Sequence, residues 1–202
     1  MSLRALCVTA TMTFSLLSHA AAQEPVIVEL DTSEGKVVLE LDAQKAPKTV
    51  ANFVSYVEKG HYAGTLFHRV IPDFMIQGGG FAMQEARGAT LMTEKPTDDP
   101  VQNEAGNGLK NVKYSVAMAR KPDPHSATSQ FFINNANNRP LDRSACDEGY
   151  TFFGRVVKVL DVVDRIESVK TSAKPDPGGG PLMQDVPVEP IVILKASVRS
   201  KE

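Results

Sequence analysis

The chain has 202 residues, with 22 Lys and Arg against 24 Asp and Glu. A formal charge of −2 speaks against nucleic acid or an anionic membrane surface as its partner. Length and composition suit one domain of ordinary size with ample core.

Residues 1–22 read as a secretory signal. Arg4 supplies the positive start, 5–17 the apolar middle, and Ala20 and Ala22 the small residues before Gln23. The apolar run is shorter than the roughly 20 residues a membrane-spanning helix needs. Cleavage after Ala22 leaves a single domain over 23–202, whose formal charge becomes −3 with Arg4 gone. Cys146 is then the remaining cysteine, so no intramolecular disulfide can form, and it reads as a semi-buried free thiol.

Residues 26–42 hold two β-rich runs around Ser33, Glu34 and Gly35, which predicts an antiparallel hairpin. The period then changes over 46–62, where Val50, Phe53, Val54 and Val57 recur at helical spacing and Pro47 suits a first turn. Strands are expected at 67–80, 114–119, 129–133, 151–157 and 190–198. A second helix fits 159–169, with Val159, Val162, Val163 and Ile166 as its apolar stripe. Turn-rich connections cover 82–111, 121–128, 134–149 and 171–190. Many short strands with two helices predict a mainly β fold, a closed or nearly closed antiparallel barrel with helices over its ends. Its long loops would carry specificity.

The stretch FHRVIPDFMIQGGG at 67–80 places an arginine and a glutamine inside an apolar run. Strand alternation puts Arg69 opposite in face to His68 and Val70, pairs Met75 with Gln77, and pairs Gln130 with Phe132. Each of two strands thus presents one amide beside one large apolar side chain. A core face would be wholly apolar, and a solvent face has no need of Met and Phe between its polar groups, so the mixture suits a binding surface. Taken alone, an arginine on a strand is more often a surface or salt-bridged residue. His68, of the other parity, reads as a structural hydrogen-bonding residue, and His61 and His125 as surface. Gly78–Gly80 suit a tight bend or close backbone approach, since no clear helix start follows for a phosphate loop. Paired cysteines and histidines at ligand spacing are lacking, so neither a metal nor a cofactor is expected.

The runs FHRVIPDFMIQGGGF (67–81), AMAR (117–120) and SQFFI (129–133), in this order and at these intervals, closely resemble the cyclophilin-type peptidyl-prolyl cis-trans isomerases. The likeness extends from about Val26 to Val198, and the 103–111 connection with the signal makes it similar to the short secreted bacterial branch. The resemblance implies an eight-stranded antiparallel barrel capped by two α-helices, with the site on its outer face. It places the catalytic arginine at Arg69 and the proline pocket at Phe74, Met75, Phe132 and Leu141. Substrate-backbone contacts fall on Gln77, Gln130 and the main chain around Ala119 and Arg120, and Tyr150 stands where the family has a ring-stacking histidine. Pro140 stands where many members carry an aromatic rim residue, which implies weak binding of the cyclic peptide cyclosporin.

The expected activity is rotation about Xaa-Pro bonds in unfolded or partly folded polypeptides, by a monomer, assisting folding of exported proteins in the periplasm. The alternatives are a proline-segment binding chaperone with incidental turnover and a docking protein, the latter disfavoured because it needs no such array of Arg69, Gln77, Gln130 and Phe132.

Overall fold

The structure, a computed structural model, describes residues 24–86 and 89–199. The expected signal at 1–22 lies outside the described residues. Strands β1 (Val26–Thr32) and β2 (Gly35–Leu41) form the predicted hairpin, in register from Val26 opposite Leu41 to Thr32 opposite Gly35. Val28, Leu30, Val37, Leu39 and Leu41 are fully buried. On the other face Lys36 donates to the Glu29 carboxylate at 2.7 Å.

Helix α1 (Pro47–Glu58) follows, beginning with proline at its first turn as expected. Ala46 offers it no side-chain cap; the Glu104 carboxylate instead accepts from the amides of Lys48 and Thr49 and from the Thr49 hydroxyl. A carboxylate there satisfies orphan amides and complements the helix dipole. The inner face inserts Val50, Phe53 and Val57 into the core. The Phe53 ring meets Tyr62, Phe131 and Phe153 with centroids 4.9, 5.4 and 5.2 Å away. Truncating a buried ring of this kind costs about 3–5 kcal/mol, so this cluster is a main source of stability.

The 67–80 stretch is two strands, not one: β3 (Thr65–Ile71) and β4 (Met75–Ala86). Proline at 72 lacks an amide donor and Asp73 takes φ 56, so the chain reverses there. The Glu167 carboxylate holds the turn by accepting from the Asp73 amide at 2.7 Å. Strand β4 continues past its glycines and pairs with β5 (Ala89–Glu94). That hairpin lies inside a predicted connection because its residues carry little apolar alternation: Met83 and Leu91 are both exposed.

Strands β6 (Ser115–Met118), β7 (Phe131–Asn134) and β8 (Phe152–Lys158) precede helix α2 (Leu160–Glu167). The stripe of α2 is Val162, Val163 and Ile166; Val159 is instead the residue before the helix, at φ 60 and exposed. The last predicted connection contains a small hairpin of its own, β9 (Thr171–Lys174) with β10 (Met183–Pro187), before β11 (Ile191–Val198).

Eight strands close in the order β3-β11-β1-β2-β8-β6-β7-β4, with β4 pairing back to β3 and β5 appended outside. Closure leaves no free edge within the ring, and the interior is filled by side chains from both helices and all around the sheet. No helix among the described residues is long and apolar enough to cross a membrane.

Strict alternation fails in β3. Phe67 and Val70, three residues apart, both belong to the core, because the β3–β4 register slips between Phe67 and Arg69. His68 sits in that bulge, buried beside the Phe81 ring at 4.6 Å, and its Nδ1 has no hydrogen-bond partner. A hydrogen bond between the ring and the Leu66 main chain remains, as expected of a structural histidine. Burial drives its pKa down to about 4, with the Leu66 main chain opposing and the Arg69 charge adding to the fall. Because the unfolded chain takes up the proton near pH 6.5, stability is intact above that value and is lost as pH falls toward 4. The loss is about 3 kcal/mol. Urea unfolding at pH 7 and pH 4 should show wild type losing about that much more than His68→Phe, in which nothing titrates at this site.

Candidate active site

Strands β3, β4, β7 and β6 lie side by side, and their register sets Arg69 opposite Gln77, Gln77 opposite Phe132, and Phe132 opposite Ala117. The alternate positions Ile76, Val116 and Ile133 point into the core. This row therefore crosses the outer face of the barrel. Met75, Ala117 and Phe132 form a small apolar cluster separate from the main core, with Phe74, Ala119, Leu141 and Tyr150 packed around it.

Nine of the ten predicted site residues line one cavity of about 250 Å3: Arg69, Phe74, Met75, Gln77, Ala119, Arg120, Phe132, Leu141 and Tyr150. Gln130 is the exception, yet it belongs to the same array, since Gln77 Nε2 donates to Gln130 Oε1 at 2.9 Å. Its main chain accepts from the Ala119 amide at 3.0 Å, which fixes one wall to another. Arg69 is half-buried, and among the described residues no acidic group forms an ion pair with it. Its charge is thus presented to the cavity without a protein counter-ion.

The glycines act by close approach. A Cβ on Gly80 would collide with the Gln130 side chain, so only glycine lets that amide lie across β4. Gly79, at φ +88, would drive a Cβ to 2.8 Å from the Tyr62 ring. The chain continues as strand through both positions instead of bending.

Below the pocket runs an asparagine network whose members fall in the expected connections 82–111 and 134–149. Asn138 Nδ2 donates to the Phe74 carbonyl at 2.7 Å and to Asn134 Oδ1 at 2.6 Å. Asn134 Nδ2 donates to Ser115 Oγ at 2.8 Å and to Asn111 Oδ1 at 3.2 Å. Asn111 Nδ2 in turn reaches the Leu141 and Tyr150 carbonyls at 3.3 and 3.4 Å. Three walls are so tied to one buried set of amides. For Asn134 and Asn138 the signal is the run NNANN at 134–138, which ends β7 with no glycine to mark a turn.

Other candidates lie elsewhere. His61 is half-buried, not surface, with Nε2 3.1 Å from the Gly79 carbonyl, and burial lowers its pKa. His125 is exposed, as expected, and Nδ1 accepts from the Asn103 amide. Cys146 is exposed and not semi-buried. Pro140 is exposed in the short 3-10 turn Arg139–Leu141 and is absent from the cavity lining. A larger cavity of about 430 Å3 lies among Leu66, Met83, Leu91, Lys174 and Val186. Its lining has neither an arginine nor a paired amide, so size and chemistry diverge, and the smaller hollow holds the array expected from the sequence. No cluster of His, Cys, Asp or Glu able to hold a metal occurs among the described residues.

An uncompensated cation, two mutually bonded amides and a greasy hollow can grip a short extended peptide and donate to one atom within it. The comparisons agree with that geometry. The profile of the family described as "Cyclophilin type peptidyl-prolyl cis-trans isomerase/CLD" matches residues 27–198. A peptidyl-prolyl cis-trans isomerase of Streptomyces antibioticus is 53% identical, over 85% of this chain and 97% of the relative. Peptidyl-prolyl cis-trans isomerase B of Escherichia coli is 44% identical, over 85% of this chain and 99% of that one. A crystal structure of a Cryptosporidium parvum cyclophilin, determined in the presence of the dipeptide Ala-Pro, superposes with a TM-score of 0.67 at 22% identity, covering 87% of this chain and 99% of the other. With an eight-stranded closed barrel, an arginine beside an apolar hollow and relatives of this closeness, the chain belongs to the cyclophilin-type peptidyl-prolyl cis-trans isomerase family.

Proposed function

We propose that the cavity around Arg69 isomerises Xaa-Pro bonds, and that residues 23–202 are the exported working domain. The observation that carries this reading is the cross-strand row that sets Arg69 beside Gln77 and Phe132. Rotation about the bond must break amide resonance, a barrier of about 18–20 kcal/mol. As the C–N bond twists, the prolyl nitrogen regains its lone pair and becomes an acceptor, which it is not in the planar state. A donor aimed at that atom binds the twisted form selectively.

The Arg69 guanidinium suits this task because it presents several N–H groups in a rigid fork and has no counter-ion among the described residues to satisfy them. One N–H can hold a substrate carbonyl while another points at the nitrogen. Phe74, Met75, Phe132 and Leu141 seat the proline ring and exclude water, which otherwise favours the planar, charge-separated form. The bonded pair Gln77 and Gln130, with the main chain of Ala119 and Arg120, anchors the flanking backbone so that one side of the bond turns and the other stays. Tyr150 closes the rim with its ring edge on Phe132, centroids 5.7 Å apart. Each factor of ten in rate requires about 1.4 kcal/mol, so a few oriented bonds suffice. The Ala-Pro dipeptide used with the Cryptosporidium parvum neighbour supports a proline-containing ligand for this fold. Export is supported by the composition of residues 1–22, and a periplasmic address with a role in folding by the likeness to bacterial isomerases; a monomer is the state we propose.

A protease-coupled proline-peptide assay is the direct test. Wild type should accelerate isomerisation, and Arg69→Ala should lower kcat/KM by about 100-fold or more, the loss expected for deleting an oriented transition-state donor. Full turnover by Arg69→Ala would refute the assigned role, and chaperone activity surviving it would favour binding over catalysis. Because no group of the site needs to change protonation, kcat/KM should be flat between about pH 6 and 9. With the exposed Pro140, outside the cavity lining, where many members carry an aromatic rim residue, cyclosporin should inhibit only at concentrations far above the nanomolar range, as read from an inhibition curve. Mass spectrometry of protein recovered from an exporting bacterial host should show a chain beginning at Gln23.

A further inference from the structure

The isomerase reading uses the main chain of Arg120 and leaves its side chain without a task. That side chain is nevertheless only 9% exposed, although the Asp147 carboxylate it pairs with is 56% exposed. Its fork is almost fully occupied. Nε donates to the Gly149 carbonyl at 3.0 Å, Nη1 to the Lys121 and Pro122 carbonyls at 3.1 and 3.3 Å, and Nη2 to Asp147 Oδ1 at 3.1 Å. The guanidinium carbon also lies 4.5 Å from the centroid of the Tyr150 ring.

These contacts add a side-chain tie between two segments whose main chains meet at the Met118 amide and the Thr151 carbonyl, 3.1 Å apart. One is the stretch after β6, whose main chain forms the backbone-binding wall. The other is the exposed stretch 143–148, which leads into Tyr150 at the pocket rim. Within it, Asp147 Oδ1 also accepts from the Gly149 amide at 2.6 Å, and the Asp147 amide donates to Ser144 Oγ at 3.1 Å. The second segment is thus folded around the carboxylate that meets Arg120. The Tyr150 ring has the cation on its face and the Phe132 ring against its edge, at an interplanar angle of 77°.

Resting on the isomerase reading, we infer that the Arg120 side chain is a positioning residue that fixes Tyr150 as the rigid rim of the proline pocket by clamping 147–150 to the backbone-binding wall. Arginine is required over lysine. Only a planar fork can donate in its plane to three carbonyls and a carboxylate while laying its face on a ring. An ammonium retains the charge and loses both the stack and the fork. Because Asp147 neutralises the charge, the clamp confers order on the rim and not attraction for acidic peptides.

The chain lacks tryptophan, so Tyr150→Trp provides a sole indole reporter at the rim. In that background, Arg120→Ala and Arg120→Lys should both lower the indole fluorescence anisotropy and raise its quenching by acrylamide, with Asp147→Asn intermediate. In isomerisation assays, Arg120→Ala should raise KM about tenfold with a smaller change in kcat, the signature of a misplaced binding wall. Arg120→Lys should fail to restore it. In a Tyr150→Leu background, Arg120→Ala should add less than about twofold, since residues acting through one another are non-additive. Additive effects, restoration by lysine, or an indole signal unchanged by Arg120→Ala would each overturn the clamp. Absence of turnover by wild type would instead defeat the isomerase reading, and the indole signal would still decide whether Arg120 orders the rim.

Discussion

The register between β3 and β4 governs the rest of this molecule. Their pairing closes the eight-stranded ring, and the same ladder puts Arg69 opposite Gln77. From Gln77 the row passes to Phe132 on β7 and Ala117 on β6. A slip of one residue would turn this whole set inward and bring core side chains out. The bulge between Phe67 and Arg69 is what permits Phe67 and Val70 to fill the core while Arg69 remains outside.

What fixes that register is the interior more than the site. Phe53, Tyr62, Phe131 and Phe153 pack at 4.9–5.4 Å around the helix that enters the barrel. Each buried ring is worth about 3 kcal/mol or more, whereas a hydrogen bond such as Gln77 to Gln130 contributes about 1 kcal/mol net. The apolar core therefore decides where the strands lie, and the polar bonds decide how the outward side chains point. Glycine at 79 and 80 connects the two levels. The first lets Tyr62 and Phe131 pack against the strand backbone, and the second lets Gln130 lie over it.

The site combines parts of unequal rigidity. Its cation, amides and Phe132 stand on or beside barrel strands, but Leu141 and Tyr150 come from the connection between β7 and β8. Two polar systems compensate for the missing ladder. The Asn111, Asn134 and Asn138 set holds the main chains of Phe74, Leu141 and Tyr150 from below, and the Arg120 fork holds 147–150 from the side. Buried amides with their bonds made are stiff, because leaving one unpaired costs about 1–3 kcal/mol. A reaction that breaks no covalent bond and moves no proton needs such stiffness more than it needs a titrating group, since its catalysis is selective binding of a twisted peptide.

Much of this was legible in the sequence. β-rich runs marked the β1–β2 hairpin and the strands at β6, β7, β8 and β11, and helical spacing marked both helices, because a helix with one buried face leaves a periodic trace. The motif around Arg69, Gln77, Gln130 and Phe132 named the residues that the cavity brings together, with Gln130 one step behind its lining. Strand β5 and the β9–β10 hairpin left no such trace, as they lie outside the closed barrel and have little apolar face to bury. Alternation also misplaced His68, whose bulge is a property of two strands in register and not of either alone. The asparagine network and the Arg120 clamp join residues up to 64 positions apart or hang on loop geometry, so apart from the run of asparagines the sequence carries little sign of them. Sequence by itself determined which residues are buried in the strands and which chemistry the outer face carries, because those follow from local period and side-chain type. Only the tertiary structure decided which polar groups find each other across the loops, because chain closure brings together groups that no local pattern relates.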